Sequence, residues 1–147
     1  MKNILILKNG TTWGGMEHWA YETSKGLIQR GHRVIIACNP NSKLYRRTKE
    51  SNVEAKGIIV EKSSLFNLYK LMKFTSFLLK ENIDVIIVGS SADRKFGILS
   101  AKLAGVDNII HRQGGDLKIN NRFYNRLLLG EFTTNIIRSN IFIMNLQ

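Results

Sequence analysis

The 147-residue sequence predicts an α/β fold: a doubly wound, mainly parallel sheet of about six strands with helices on both faces. Three observations predict it. Short apolar runs alternate along the chain with stretches whose apolar residues recur at helical spacing. The runs NILILK, RVIIAC and DVIIVG lack the polar alternation of a half-solvated strand, so they fit strands covered on both faces. Parallel neighbours need a crossover connection, and the intervening stretches are suited to supply helices for it.

Taken in order, NILILK is the first strand. The helix after it buries Met16, Trp19, Ala20, Thr23 and Leu27, which share one face, and Gly31 ends it. RVIIAC is the second strand and NPNS the loop beyond it. A polar helix over 42–51 precedes a third strand, GIIVE. Leu65, Leu68, Met72, Thr75 and Leu79 mark the next amphipathic helix. DVIIVG is the fourth strand, followed by a helix over 96–103 and a fifth strand, NIIHR. A helix over 121–129 leads to the sixth strand, TNIIR. The chain contains no repeat, low-complexity segment or linker, and reads as one domain over 1–147.

Composition narrows the function classes. Cys38 is the single cysteine, so no internal disulfide forms, and its apolar surroundings read as a core position in a reducing compartment. Lys2 precedes only a four-residue apolar run before Lys8, short of the roughly 7–15 residues of a secretory signal. No segment reaches the ~18 apolar residues of a membrane span, so a cytoplasmic protein is expected. The net charge is +11, from 22 basic and 11 acidic residues. Such an excess suits a polyanionic partner, whether nucleic acid, an anionic membrane face or a phosphate-bearing substrate, and equally a plain solvated surface. Zinc-finger spacing and RNA-recognition aromatics are missing, so no specific nucleic acid is expected. His18, His32 and His111 are scattered without ligand spacing, and no metal site is expected.

In a doubly wound sheet, ligands sit at the carboxyl ends of the strands. The informative loops are therefore 9–17, 39–42, 89–95 and 111–116. Gly14 and Gly15 allow a sharp turn and close approach of a ligand to a helix N-terminus. They read equally as a plain tight turn, with Glu17 complementing the helix dipole or accepting a substrate hydroxyl. The full G-x-G-x-x-G fingerprint is absent, which disfavours a nicotinamide or flavin dehydrogenase. After the fourth strand, Asp93 either caps the next helix or faces an acceptor hydroxyl, with Arg94 or Lys95 near phosphate. After the fifth, His111, Arg112, Gln113, Gly114, Gly115 and Asp116 form the densest polar group, which reads as a substrate site or as a core histidine followed by a turn.

The segment WGGMEHWAYETSKGLIQRGHRVIIA resembles the opening of retaining nucleotide-sugar glycosyltransferases of family 4, whose GT-B fold pairs two Rossmann-like domains. Gly14, Gly15, Glu17, Gly26, Leu27, Gly31 and His32 fill the places of that family's Gly-Gly-x-Glu loop and following Gly-His helix end. ENIDVIIVGS, ILSAKLAGVDNIIHRQGGD and NRFYNRLLLGEFTTNIIRS continue the likeness over nearly the whole chain.

The resemblance implies an acceptor-binding, N-terminal half of a transferase that builds a cell-surface polysaccharide or lipid-linked glycan. It gives Gly14 and Gly15 to the donor diphosphate. Trp13, Glu17, Arg94, His111, Arg112 and Gln113 are the candidate acceptor or substrate contacts. Many members carry a His after the fourth strand; here that loop reads GSSADR, and Asp93 is the substitute catalytic candidate. No cofactor or essential metal is implied, since the nucleotide sugar is a substrate. The implied partners are a glycan or lipid-linked acceptor, an anionic membrane at its inner face and a separate donor-domain protein. Set beside the family, the sequence stops before the second domain, and IFIMNLQ departs from the usual continuation. That implies a truncated chain, with a frame shift or interruption near Ser139, that has little activity alone. The alternative is a non-catalytic glycan- or phosphate-binding module, or one subunit of a split transferase.

Overall fold

A computed structural model of the chain describes residues 1–89, 91–113 and 135–138. The strands are β1 (Asn3–Lys8), β2 (Arg33–Cys38), β3 (Glu54–Gly57), β4 (Val85–Val88), β5 (Asn108–Gln113) and β6 (Asn135–Arg138). The helices are α1 (Gly15–Gln29), α2 (Lys43–Lys49), α3 (Leu68–Lys80) and α4 (Ser91–Leu103). All neighbouring strands pair in parallel, in the order β3-β2-β1-β4-β5-β6. The predicted doubly wound, six-stranded sheet is therefore present. Its order reverses between β1 and β4, which sets the place where such a sheet opens a crevice.

Alternation along the central strands divides the core into two layers. Leu5, Leu7, Ile35, Ala37, Ile86 and Val88 face α3 and α4, meeting Leu71, Phe74, Leu78 and Phe96. Ile4, Ile6, Val34, Ile36 and Ile87 face the other way, onto Ala20 and Leu27 of α1 and Leu44 of α2. Cys38 belongs to this second layer and is fully buried, and burial pushes its thiol up to about 11. That is a packed core cysteine, not a reactive one.

Three helices end alike. Gly31, Asn82 and Gly105 have φ of +81°, +49° and +72°. Each is followed by a residue whose N–H returns to the last turn: His32 to Leu27, Ile83 to Leu78 and Val106 to Ala101. These are Schellman ends, which satisfy orphan carbonyls and turn the chain back into β2, β4 and β5.

Four expectations are corrected. The third strand is Glu54–Gly57, not GIIVE. It is an edge strand pairing only with β2, so a polar run suffices; Ile58 and Val60 follow it and pack into the α3 and α4 layer. In α3 the buried face is Leu71, Phe74, Thr75 and Leu78, whereas Leu68, Met72 and Leu79 are exposed. Both sets have helical spacing; the one carrying Phe74 wins, its ring lying 5.3 Å from that of Phe96. In α1, Met16 and Trp19 are only half-buried, because the helix N-terminus overhangs the end of the sheet, while Glu17 and Ser24 are buried. Finally, α4 starts at Ser91 rather than near Phe96, since Asp93 in its first turn complements the dipole. The expected helix over 121–129 lies outside the described residues.

One close contact fixes α4 on the sheet. A Cβ at Gly97 would lie 2.7 Å from Val88 Cγ1 and 2.8 Å from Leu7 Cδ2. Gly97→Val is expected to destabilise the fold by about 1–3 kcal/mol through overpacking. Urea unfolding measures this, and an unchanged midpoint would mean that the helix shifts away without cost.

Candidate functional site

The carboxyl ends of β1, β4 and β5 and the first turns of α1 and α4 meet at the β1/β4 reversal. A cleft there is lined by Lys8, Met16, Trp19 and Gly89, with the ends of β1 and β4 as its floor. Its wall is built on an ion pair that the sequence reading did not anticipate. Lys8 Nζ lies 2.8 Å from Glu17 Oε1, with both side chains about nine-tenths buried. The ammonium also donates to Asn9 O at 2.7 Å. The other Glu17 oxygen accepts the Gly14 N–H at 3.1 Å, the glutamate's half of a capping box at the helix N-terminus. Burial pushes the Glu17 carboxyl up, but the Lys8 hydrogen bond and charge and the Gly14 N–H outweigh it and hold the group below the usual carboxylate value. Both oxygens of Glu17 are thus engaged inside the chain. The residue holds the loop rather than reaching into the cleft.

Gly14 and Gly15 themselves are exposed. Neither has a positive φ; Gly14 is extended at φ −143°. A Cβ at Gly15 would meet nothing within 4 Å, and one at Gly14 would touch only Glu17 Oε2 at 3.4 Å. Neither backbone conformation nor internal packing requires glycine here. Gly10 differs: at φ +148° it lies against the Lys8–Glu17 pair, where a Cβ would come 3.1 Å from Nζ.

Asp93 is fully buried, and its Oδ2 accepts the Asn9 N–H at 3.0 Å. Asn9 in turn donates its side-chain amide to Ile58 O at 2.8 Å. Asp93 therefore bolts the first turn of α4 to the loop after β1. In this conformation the carboxylate has no accessible surface and holds the loop.

Arg94 and His111 are both buried and sit close enough to interact electrostatically. His111 is one residue pair from the cleft floor, opposite Val88 in the β4–β5 register. Burial, then the neighbouring Arg94 charge, lower its pKa to about 4 against a weaker opposing hydrogen bond with the Gly89 backbone. It is neutral at pH 7, and among the described residues its Nδ1 has no hydrogen-bond partner. Arg112 reaches back across the cleft, its guanidinium 4.3 Å above the Trp19 ring and in contact with the Met16 sulfur. Partial burial pulls its pKa down from the usual guanidinium value. Met16 also lies over Gly89, where a Cβ would meet its methyl at 2.6 Å.

The structure thus brings Arg112 onto the cleft-lining Trp19 and Met16 and places His111 beside the floor residue Val88, with Arg94 near His111; Gly14 and Gly15 precede Met16 at the start of α1 and do not themselves line the cleft. Trp13 turns away from them onto α2, under Arg47 at 4.5 Å and Lys43 at 5.7 Å. Gln113 continues β5 opposite Arg138, and its side chain lies outside the described residues, as do Gly114, Gly115 and Asp116. Sequence reasoning missed Lys8, Asn9 and Met16. The one available signal was Lys8 itself, a charge closing an otherwise apolar central strand. Among the described residues no three His, Cys, Asp or Glu side chains converge as a metal site would require.

The model of Glycosyltransferase Family 4 matches residues 13–135, which run from the loop before α1 to the start of β6. The chain belongs to glycosyltransferase family 4. No curated protein matches it by sequence. Solved structures share the fold of this family 4 chain at low identity. MurG of Acinetobacter baumannii superposes with a TM-score of 0.70 at 18% identity, over 99% of this chain and 44% of that one. A glycosyltransferase of Rickettsia africae gives 0.70 at 20%, over 86% of this chain and 33% of that one. Anabaena HepE, solved in complex with UDP and glucose, gives 0.71 at 15%, over 92% and 37%. The family 4 chain therefore corresponds to the N-terminal domain of the GT-B fold and spans less than half the length of each of these structures.

Proposed function

We propose that this chain is the acceptor-binding half of a nucleotide-sugar-dependent glycosyltransferase, acting on a cell-surface polysaccharide or a lipid-linked glycan at an anionic membrane. The observation that carries this is the pair Gly14 and Gly15, glycines that no internal contact and no backbone angle require. Leaving side chains off an exposed helix N-terminus opens its N–H groups to an anion from outside, and a donor diphosphate fits that description. The Glu17 carboxylate, paired with Lys8 and accepting the Gly14 N–H, fixes the direction of those groups. Arg112, anchored on Trp19 across the cleft, supplies a positive charge opposite. Buried, neutral His111 beneath it is suited to hydrogen bonding with a sugar hydroxyl, and Asp93 positions the loop. Solved glycosyltransferases of this fold run to more than twice the chain's span. We therefore assign the nucleotide to a second domain, and expect little transfer without one because donor and acceptor must be held together.

The test compares nucleotide-sugar transfer by the 147-residue chain alone with transfer after a donor-binding domain is added or fused. Transfer is expected only after completion. Gly15→Val should then cut it by at least tenfold while leaving the melting temperature within a few degrees, because the added side chain enters open space. Full transfer by Gly15→Val would remove the diphosphate from this loop. Glycan binding with no transfer in either format would instead favour a non-catalytic binding module.

A further inference from the structure

Beside the cleft, on the β2 side of the sheet, cations from α1 and α2 lie over aromatic rings. Trp13 follows the carboxyl end of β1 and Lys43 that of β2, and these strands pair Lys8 with Cys38 at those ends. The Arg47 guanidinium lies 4.5 Å above the Trp13 ring and 6.0 Å from the Tyr21 ring. Lys43, one helical turn back along α2, has its ammonium 5.7 Å from Trp13, and Lys25 lies 5.4 Å over Tyr21. α2 is fixed by Ser42, whose hydroxyl accepts the Tyr45 N–H at 3.0 Å, and by the buried Leu44 and Thr48. Lys8, Lys25 and Arg33 each pair with a carboxylate. Among the described residues Lys43 and Arg47 pair with none. A guanidinium held over an aromatic ring keeps its planar fork of N–H donors pre-organised for a carboxylate or phosphate.

We propose that Arg47 and Lys43, set over Trp13 beside the cleft, bind an anionic group, a carboxylate or a phosphate, carried by the glycan acceptor. This subsite rests on the acceptor-binding reading above and narrows the acceptor to an acidic saccharide. Arg47 supplies a bidentate fork and Lys43 a second point charge, a combination that matches the oxygens of either group. The charge here is unopposed. The α2 sequence KLYRRTK holds four cations and no acid, and the α1 acids Glu17 and Glu22 are taken by Lys8 and Lys25. The surroundings do not suit other polyanions. A nucleic acid stacks its bases on open aromatic faces, whereas Trp13 and Tyr21 are half-buried beneath cations. A lipid layer is entered by exposed apolar side chains, and among the described residues no exposed large hydrophobic lies on α1 or α2. The reach suits a sugar. Trp13 is two residues before Gly15, so their Cα atoms are at most about 7 Å apart. An acidic substituent held over Trp13 therefore belongs to the sugar at the transfer point or to its neighbour.

The experiment is titration calorimetry of the full chain with trigalacturonate, glucose 6-phosphate, neutral maltotriose and inorganic phosphate, at low and high salt. One of the two acidic saccharides is expected to bind at least tenfold more tightly than maltotriose and than inorganic phosphate, weakening in salt; which of them binds identifies the anion as carboxylate or phosphate. Lys43→Gln/Arg47→Gln should lose at least tenfold of that binding. Arg46→Gln/Lys49→Gln, an equal charge change on the same helix, should lose less than threefold. Arg47→Lys keeps the charge without the fork and should also weaken binding. Circular dichroism checks folding. If the Lys43→Gln/Arg47→Gln variant is unfolded, Lys43→Gln alone, at an exposed position, decides the matter against Lys49→Gln. The proposal is overturned by absent binding, by equal binding of maltotriose or inorganic phosphate, or by equal losses in the paired variants. Binding of single-stranded DNA that Lys43→Gln/Arg47→Gln abolishes, without saccharide binding, would overturn it in favour of a nucleic acid. Equal binding of maltotriose would leave the acceptor-binding reading standing, and absent transfer by a completed enzyme would leave acidic-saccharide binding to be measured, so either reading can fail alone.

Discussion

Lys8→Met is expected to lower the free energy of unfolding at pH 7 by about 3–5 kcal/mol, the usual cost of removing one partner from a buried ion pair. Methionine keeps the length and apolar stem of the side chain, so the loss isolates the charge. Glu17 would remain about nine-tenths buried with only the Gly14 and Glu17 backbone N–H groups and the α1 dipole to stabilise it. Water has little room to replace the ammonium, because the Gly10 backbone lies against the pair. The second substitution sharpens the test. Lys8→Met/Glu17→Leu removes both charges, and such apolar replacements are often neutral or better, so most of the loss should return. The pH dependence has a definite sign. A carboxyl held below its ordinary 4.5 contributes stability above that value, and the contribution is lost as pH falls through the folded value. Protonated Glu17 no longer needs Lys8, so the deficit of Lys8→Met should narrow as the pH falls far enough to protonate Glu17. Urea titrations at pH 7 and pH 3.5 measure both effects. A single variant that loses less than about 1 kcal/mol would make the pair no stronger than a surface bridge.

How far the fold was legible depended on how many faces each element buries. The central strands β1, β2 and β4 are covered on both sides, and an unbroken apolar run can mean little else in a chain this regular. β3 borders solvent, so its EAKG carries no apolar signature, and the eye is drawn to the neighbouring IIV. In α3 the failure has another cause: two apolar faces compete, and only the tertiary partner Phe96 selects Phe74 and Leu78 over Leu68 and Met72. At the cleft, the glycines of loop 9–17 stood out in the sequence but read equally as a ligand loop and as a tight turn. The fixed roles of Glu17 and Asp93 were not legible. Asp93 is defined by Asn9, 84 residues away, and no local pattern encodes such a contact. The same holds for His111, which read equally as a core or a substrate residue. The structure makes it both buried and adjacent to the cleft.

His111 should make the fold sensitive to mild acid. Its pKa falls from an ordinary 6.5 to about 4, through burial first and the Arg94 charge second. Between those values the unfolded chain binds a proton that the folded chain refuses. Stability is then fully present above pH 6.5 and declines as pH falls towards 4. A difference of about 2.5 units at roughly 1.4 kcal/mol each amounts to about 3 kcal/mol, on the order of a quarter to a half of a typical domain's stability. His111 is 1% exposed, so solvent does little to screen the effect. Urea midpoints measured from pH 7.5 to 4 should fall in the wild type. In His111→Gln, which keeps a polar group near Gly89 but does not titrate, they should stay nearly flat until the carboxylates protonate. An equal slope in both proteins would assign the acid sensitivity to other groups. The same shift bears on chemistry. An imidazole with so low a proton affinity is a poor general base at pH 7, where an effective one would have a pKa near the working pH. As a neutral side chain it is still a good hydrogen-bond partner for a hydroxyl. In a completed transferase, loss of His111 should therefore raise the KM for the acceptor more than it lowers kcat. The pH profile of kcat should show no inflection near 6.5 that disappears with His111→Gln; such an inflection would instead make His111 the base.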